Sequence, residues 1–179
     1  MRSRTPAALA VVALLLASAA AEGHVPTRAT AAKRCSSSQL RVQLGSAEAA
    51  LGHIGQVVSF LNASTSGCTL DGYPDLQMLD AAGGTVHTRL RHGIAYTVPP
   101  VPRRLVVVKP GRRASFDVGY DDSTGYEREQ CPTSARVEIT PPHAVTPITV
   151  RWRIQPYGGG SVTHLRCGEI TVSAVFAGR

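Results

Sequence analysis

The chain has 179 residues, of which 43% are apolar, 17% charged and 5% aromatic, and its 19 Lys and Arg outnumber its 12 Asp and Glu by seven. That apolar content excludes an unfolded polyelectrolyte, and no 18-residue apolar run lies beyond the N-terminus, which excludes a polytopic membrane protein. The length suits one domain and leaves no room for a doubly wound two-domain enzyme.

The first 21 residues read as a signal peptide for general export. Arg2 and Arg4 form a basic start, Ala7 to Ala17 is an unbroken apolar run, and small residues follow at Ser18 to Ala21. The order basic, apolar, small is that of a secretory signal, and the run is short for a membrane span. Cleavage after Ala19, Ala21 or Ala31 meets the small-residue rule. An uncleaved anchor is the alternative, and no lipobox precedes Cys35. Loss of residues 1–21 removes Arg2 and Arg4, leaving 17 basic against 12 acidic residues, a net +5. Residues 22–34 lack periodicity and read as a flexible tether. The folded domain is expected over 35–179, with no transmembrane span in the mature chain.

From there the chain alternates with period two, the mark of half-buried strands. Nine strands are expected: 40–44, 54–62, 75–79, 85–91, 105–108, 116–120, 137–139, 148–154 and 170–176. Only 46–52 (SAEAALG) hints at helix. Turn signals separate the strands, among them Ala81 to Gly84, Pro99-Pro100, Asp121 to Ser123, Pro141-Pro142 and Gly158 to Gly160. Pro110-Gly111 suits the two central positions of a type II turn, and is expected to join strand 105–108 to strand 114–120 as a hairpin. Many short strands with Gly and Pro turns argue an all-β, Greek-key, immunoglobulin-like β-sandwich of about 8–9 strands.

Four cysteines, Cys35, Cys68, Cys131 and Cys167, in an exported chain read as two disulfides. Three connectivities are open to them. A zinc site is disfavoured because no C-x-x-C or C-x-x-H spacing occurs. Sequential pairing would close two loops of moderate size, each contributing about 3–4 kcal/mol on the loop-entropy model.

The chain offers little chemistry. His53, His87, His92, His143 and His164 have neither i, i+2 nor i, i+4 partners, so copper or zinc scavenging is a minor reading beside exposed loop histidines. Gly-x-Ser-x-Gly is absent, and Ser161 precedes a strand instead of opening a helix. Asp71, Asp75 and Asp80, or Asp121, Asp122, Glu127 and Glu129, could supply paired carboxylates to an envelope hydrolase. Solvated turn acids are the simpler reading, and calcium-loop spacing is missing. No cofactor is expected. Only Lys33 and Lys109 are lysines, and the arginines gather. Arg103, Arg104, Lys109, Arg112 and Arg113 surround the expected 105–120 hairpin, with Arg89 and Arg91 on another strand. Such a ridge could hold an anionic envelope polymer or lipid headgroup. A charged rim guarding sheet edges is the competing reading. Scarce aromatics argue against nucleic acid. Asn62-Ala63-Ser64 matches a glycosylation sequon, but Ala- and Arg-rich usage points to a bacterial genome, so Asn62 is read as a strand-end turn residue.

At Phe60-Leu61-Asn62, followed by Cys68-Thr69-Leu70-Asp71-Gly72-Tyr73-Pro74, the sequence resembles an exported actinobacterial family, domain of unknown function 4232. Gly52-His53, Val108 to Gly111 with Ala114, Cys131-Pro132, Pro141-Pro142 and Cys167 continue the likeness across about residues 35–176. The resemblance implies a secreted or lipid-anchored, β-sandwich-like domain whose cysteines pair first with second and third with fourth. It attaches no catalytic activity and carries no functional residue over. The function expected is a non-catalytic binding or structural module of the cell envelope.

Overall fold

The computed structural model describes residues 33–121, 134, 136–152 and 169–178. Eleven strands lie within them: β1 Leu40–Ala50, β2 His53–Asn62, β3 Cys68–Leu70, β4 Asp75–Leu79, β5 Arg89–His92, β6 Val106–Val108, β7 Arg113–Asp121, β8 Arg136–Thr140, β9 Ile148–Arg151, β10 Glu169–Val172 and β11 Phe176–Ala177. Among the described residues there is no α-helix, only a 3-10 turn at Ser37–Gln39.

The strands form three sheets. One runs β1-β2-β7-β10-β5, with β11 also pairing β7; a second pairs β3 with β6; a third runs β4-β8-β9. All these pairs are antiparallel except β10 with β5. Burial along β2 alternates strictly, so Ile54, Val58, Phe60 and Asn62 face inward while His53, Gly55, Val57 and Ser59 face out. The inward residues of β2, β7 and β10 meet Leu70, Leu76, Met78, Val106, Val137, Ile139 and Trp152 from the smaller sheets in one hydrophobic cluster. The fold is therefore all-β and sandwich-like. Phe60 and Phe116 pack ring to ring at 5.1 Å near its centre. Each such fully buried large side chain contributes about 1.5–3 kcal/mol.

Several expectations are corrected. The segment 46–52 is not helical. Ala47 to Ala50 continue β1 in register with His53 to Gln56, and Leu51 and Gly52 turn the chain with φ of 52° and 85°, as a two-residue hairpin turn requires. Good helix formers lose here to the hydrogen-bonding edge of β2, a long-range gain that overrides a propensity of tenths of a kcal/mol per residue. The 105–108 and 114–120 strands are not a hairpin. The Pro110-Gly111 turn is formed, with Arg112 N–H donating to Lys109 O at 2.9 Å and φ +70° at Gly111. It carries the chain from one sheet to another, so β6 pairs β3 and β7 pairs β2. The strand count rises from nine because Cys68–Leu70 forms its own short strand and Ser173 to Val175 interrupt the last one. The expected strand 85–91 keeps only its second half: Val86 N–H donates to Met78 O, and the chain then moves to pair β10.

Cys35 and Cys68 form a disulfide, the first of the pairs that the family resemblance implies. Beside it Cys35 N–H donates to Thr69 O and Thr69 N–H to Lys33 O, both at 2.9 Å, so the backbone is already anchored at Lys33. Cys131 and Cys167 lie outside the described residues, as do Asp122, Glu127, Glu129, Gly158 to Gly160, Ser161 and His164.

Candidate functional site

The basic residues fall into two groups. Lys109, Arg112 and Arg113 crowd the turn between β6 and β7, all exposed. Arg103 and Arg104 precede β6. Four residues, 105–108, lie between Arg104 and Lys109, a span of about 16 Å at the usual strand rise. Arg103 is committed: its Nε and Nη2 donate to the two carboxylate oxygens of Asp71 at 3.0 and 3.1 Å. That fork lowers the Asp71 pKa, the hydrogen bond from Arg103 being the main cause, and the same bond raises that of Arg103. Arg89 and Arg91 likewise share Glu169, at 2.9 and 3.4 Å. Arg104, Lys109, Arg112 and Arg113 make no side-chain ion pair among the described residues, nor do Lys33, Arg34, Arg41, Arg136 and Arg151; what distinguishes Lys109, Arg112 and Arg113 is that they share one turn.

The turn that displays three of them is firmly built. Asn62 is fully buried at the end of β2, and its Nδ2 donates to Ser66 O at 2.8 Å and Val108 O at 2.9 Å. Its Oδ1 accepts from Ser64 N–H at 3.0 Å and Ser64 Oγ at 2.7 Å. Its backbone closes the arrangement: Asn62 N–H donates to Arg112 O and Gly111 N–H to Asn62 O, at 3.0 and 2.9 Å. A glycan cannot occupy an amide whose nitrogen is sealed in this way, so the folded domain uses the sequon as architecture.

The C-T-L-x-G-Y-P segment has a similar role. Cys68 enters the disulfide, Gly72 turns the chain with φ +106°, and its carbonyl accepts Val175 N–H at 2.9 Å. Tyr73 stacks flat on His92, centroids 4.7 Å apart.

A family model described as domain of unknown function (DUF4232) matches residues 35–175. The chain belongs to that family. No curated protein and no solved structure matches it. The description of the DUF4232 domain names no activity, so its chemistry is argued from its own side chains.

Of the acids expected to pair, Asp71, Asp75 and Asp80 each have a separate partner, while Asp122, Glu127 and Glu129 lie outside the described residues. Asp71 faces Arg103, Asp75 lies 3.9 Å from His92, and Asp80 accepts Gly84 N–H at 2.7 Å to close a turn. Asp121 instead meets His53, whose Nδ1 sits 2.5 Å from Oδ1, a cross-strand pair set by β2–β7 register. A carboxylate-oriented imidazole is the geometry of a general base. No serine, threonine or cysteine among the described residues is hydrogen-bonded to His53. His87, His92 and His143 are exposed, and the described residues contain no group of three or more His, Cys, Asp or Glu able to hold a metal.

Tyr96 received no role from the sequence. Its ring lies 4.9 Å from that of His53 and is 70% exposed. The only local signal was a tyrosine two residues ahead of the Val98-Pro99-Pro100 break in a chain poor in aromatics.

Proposed function

We propose that the chain is an exported, non-catalytic binding or structural module of the cell envelope that recognises phosphate-bearing envelope polymers. The observation that carries this reading is the basic turn: Lys109, Arg112 and Arg113 stand within one turn and pair with no acid among the described residues. Guanidinium groups match phosphate oxygens bidentately. The Cys35–Cys68 bond supports an oxidising compartment, and the N-terminal pattern supports a cleaved signal peptide of 21 residues before a tether. A second bond between Cys131 and Cys167 and a Greek-key, immunoglobulin-like arrangement complete the proposal, as does an actinobacterial source.

The test is cosedimentation of mature protein with vesicles containing phosphatidylglycerol, beside a titration with soluble poly(glycerol phosphate), at about 50 and 500 mM salt. Binding that weakens steeply with salt, and is lost in the Lys109→Ala/Arg112→Ala/Arg113→Ala variant, is expected. The two arms separate a headgroup from a free polymer. Salt-independent binding, or a triple variant that binds like wild type, would overturn the electrostatic reading. Intact mass of secreted protein, reduced and unreduced, tests cleavage and the two disulfides.

An envelope hydrolase is the second reading, favoured by the His53–Asp121 pair. Turnover of an ester or amide substrate that disappears in His53→Gln would establish it.

A further inference from the structure

A two-residue turn rises from the outer face of the largest sheet. Ala95 and Val98 exchange both backbone hydrogen bonds, at 3.2 and 3.1 Å, leaving Tyr96 and Thr97 at the tip. The turn is seated in a notch cut by two glycines that face each other across β2 and β7, Gly55 and Gly119. A Cβ on Gly119 would stand 2.6 Å from Val98 Cγ2, and one on Gly55 would stand 2.8 Å from Thr97 Cβ. Val98 is wholly buried there, and Thr97 Oγ1 donates to Ile54 O at 3.0 Å. His53, held by Asp121, braces the Tyr96 ring from the side.

The result is an exposed aromatic ring on an anchored backbone, with the His53 ring 4.9 Å from its own. An aromatic fixed before contact offers its surface at low entropic cost, the property that favours tyrosine in recognition surfaces. Clefts open on both sides of it. One of about 490 Å³ runs between Tyr96 and the end of β1, where Ser46 and Glu48 stand, over a floor of Gly55, Val57 and Asp117. The other, about 230 Å³, is lined by His53, Arg91, Asp121 and Glu169. Oxygen acceptors therefore outnumber cations around the ring, since Arg91 is already shared with Glu169. Such surroundings repel a polyanion. They suit a ligand with an apolar face and a rim of hydroxyl donors, because a carboxylate only accepts.

We propose that Tyr96 and its flanking clefts form a binding site for a neutral saccharide, one sugar ring lying on the tyrosine with its hydroxyls donating to Glu48 and Ser46. The site lies on different residues from the basic turn and takes an uncharged ligand where the turn takes an anion, so it stands or falls separately from the polymer reading above.

The experiment is an amide chemical-shift titration of disulfide-intact protein with two neutral probes, chitotetraose and maltotetraose, at about 50 and 500 mM salt. Saturable shifts at Gly55, Tyr96 and Thr97 with at least one probe are expected, unchanged by salt. Tyr96→Ala is expected to weaken binding about tenfold or more, Tyr96→Phe to stay within about twofold, and Glu48→Gln to lose about threefold. Tyr96 sits at the tip and its removal leaves the Val98 and Thr97 anchors in place, which the spectrum of the variant verifies. Lys109→Ala/Arg112→Ala is expected to bind the sugar as wild type does. Absence of shifts with both probes, shifts that vanish at high salt, or a Tyr96→Ala protein that binds normally would each overturn the proposal.

Discussion

Replacing Asn62 by alanine tests whether one buried amide holds the β2 end, the 63–67 loop and the basic turn together. Four hydrogen bonds are lost, two donated to Ser66 and Val108 and two accepted from Ser64. Ser64 and Ser66 reach solvent, so water replaces part of their share, and each such bond contributes a net of about 0.5–1.5 kcal/mol. Val108 has no solvent exposure, and a carbonyl left without its donor there costs about 1–3 kcal/mol. The expected loss is about 2–4 kcal/mol, read as a lower urea midpoint at unchanged slope with the disulfide intact.

Asn62→Asp sharpens the same test through pH. An ionised carboxylate would face the Ser66 and Val108 oxygens, 2.8 and 2.9 Å from the atom it replaces, with no proton to offer either. The neutral acid can donate, so folding favours protonation and raises this carboxyl above its unfolded value of about 3.9. A group raised on folding contributes its stability fully below the unfolded pKa and loses it as pH climbs through the folded one. The deficit of Asn62→Asp relative to wild type should therefore be smallest near about pH 4 and widen toward neutrality. An alanine variant that loses under about 1 kcal/mol, or an aspartate variant whose deficit is flat with pH, would refute the hub.

Three further outcomes follow from the described geometry. Cys35→Ala/Cys68→Ala opens a loop of 33 residues and should cost about 3–4 kcal/mol on the chain-entropy model, measured by denaturant titration under non-reducing conditions. Gly119→Ala places a methyl 2.6 Å from Val98 Cγ2, so the 95–98 turn must lift, at about 1–3 kcal/mol and with accelerated hydrogen exchange at Val98. Arg103→Ala removes the fork that depresses Asp71, so the Asp71 carboxyl titration followed by NMR should move up toward about 4. In wild type that depressed group favours the native state above its unfolded pKa and ceases to do so as pH falls through the folded value.

The local pattern in the chain was a sound guide to strands and a poor one to their partners. Alternation in 54–62 located β2 and its buried Ile54, Val58 and Phe60, but Gln56, expected on the outer face with Ser59, is buried on the inner one, and Val57 and Leu61 lie on the other side. Ser46 to Ala50 misled because helix propensity is a local quantity, whereas β1 is held by pairing with β2. Pro110-Gly111 specified the turn and left open whether the chain returns beside itself or crosses to another sheet. The same limit governs the site. His53 and Asp121 lie 68 residues apart and meet through β2–β7 register, as Asp71 and Arg103 meet through β3–β6 pairing. Nothing in either neighbourhood announces the other. Gly55 and Gly119 were visible as glycines, but the notch they form exists only once the strands are paired.

Crossing between sheets at 109–112 also bears on how charge is displayed. In a hairpin turning at Pro110-Gly111, Arg103 and Arg104 would lie opposite Val118 and Asp117, on the same two-stranded ribbon as Arg112 and Arg113 but at its far end. The crossing instead leaves Arg103 at the β3 end, where Asp71 neutralises it, and puts Lys109, Arg112 and Arg113 on a turn whose backbone is tied to Asn62. The side chains of that turn hold none of its hydrogen bonds; the Lys109 carbonyl and the Gly111 and Arg112 backbones do. Charge and stability are thereby carried by different atoms. Removing the three charges should abolish salt-dependent binding while the urea midpoint holds, whereas removing Asn62 should lower the midpoint with the charges still present. A triple variant that unfolded as readily as Asn62→Ala would mean that the turn needs its side chains, and the separation would fail.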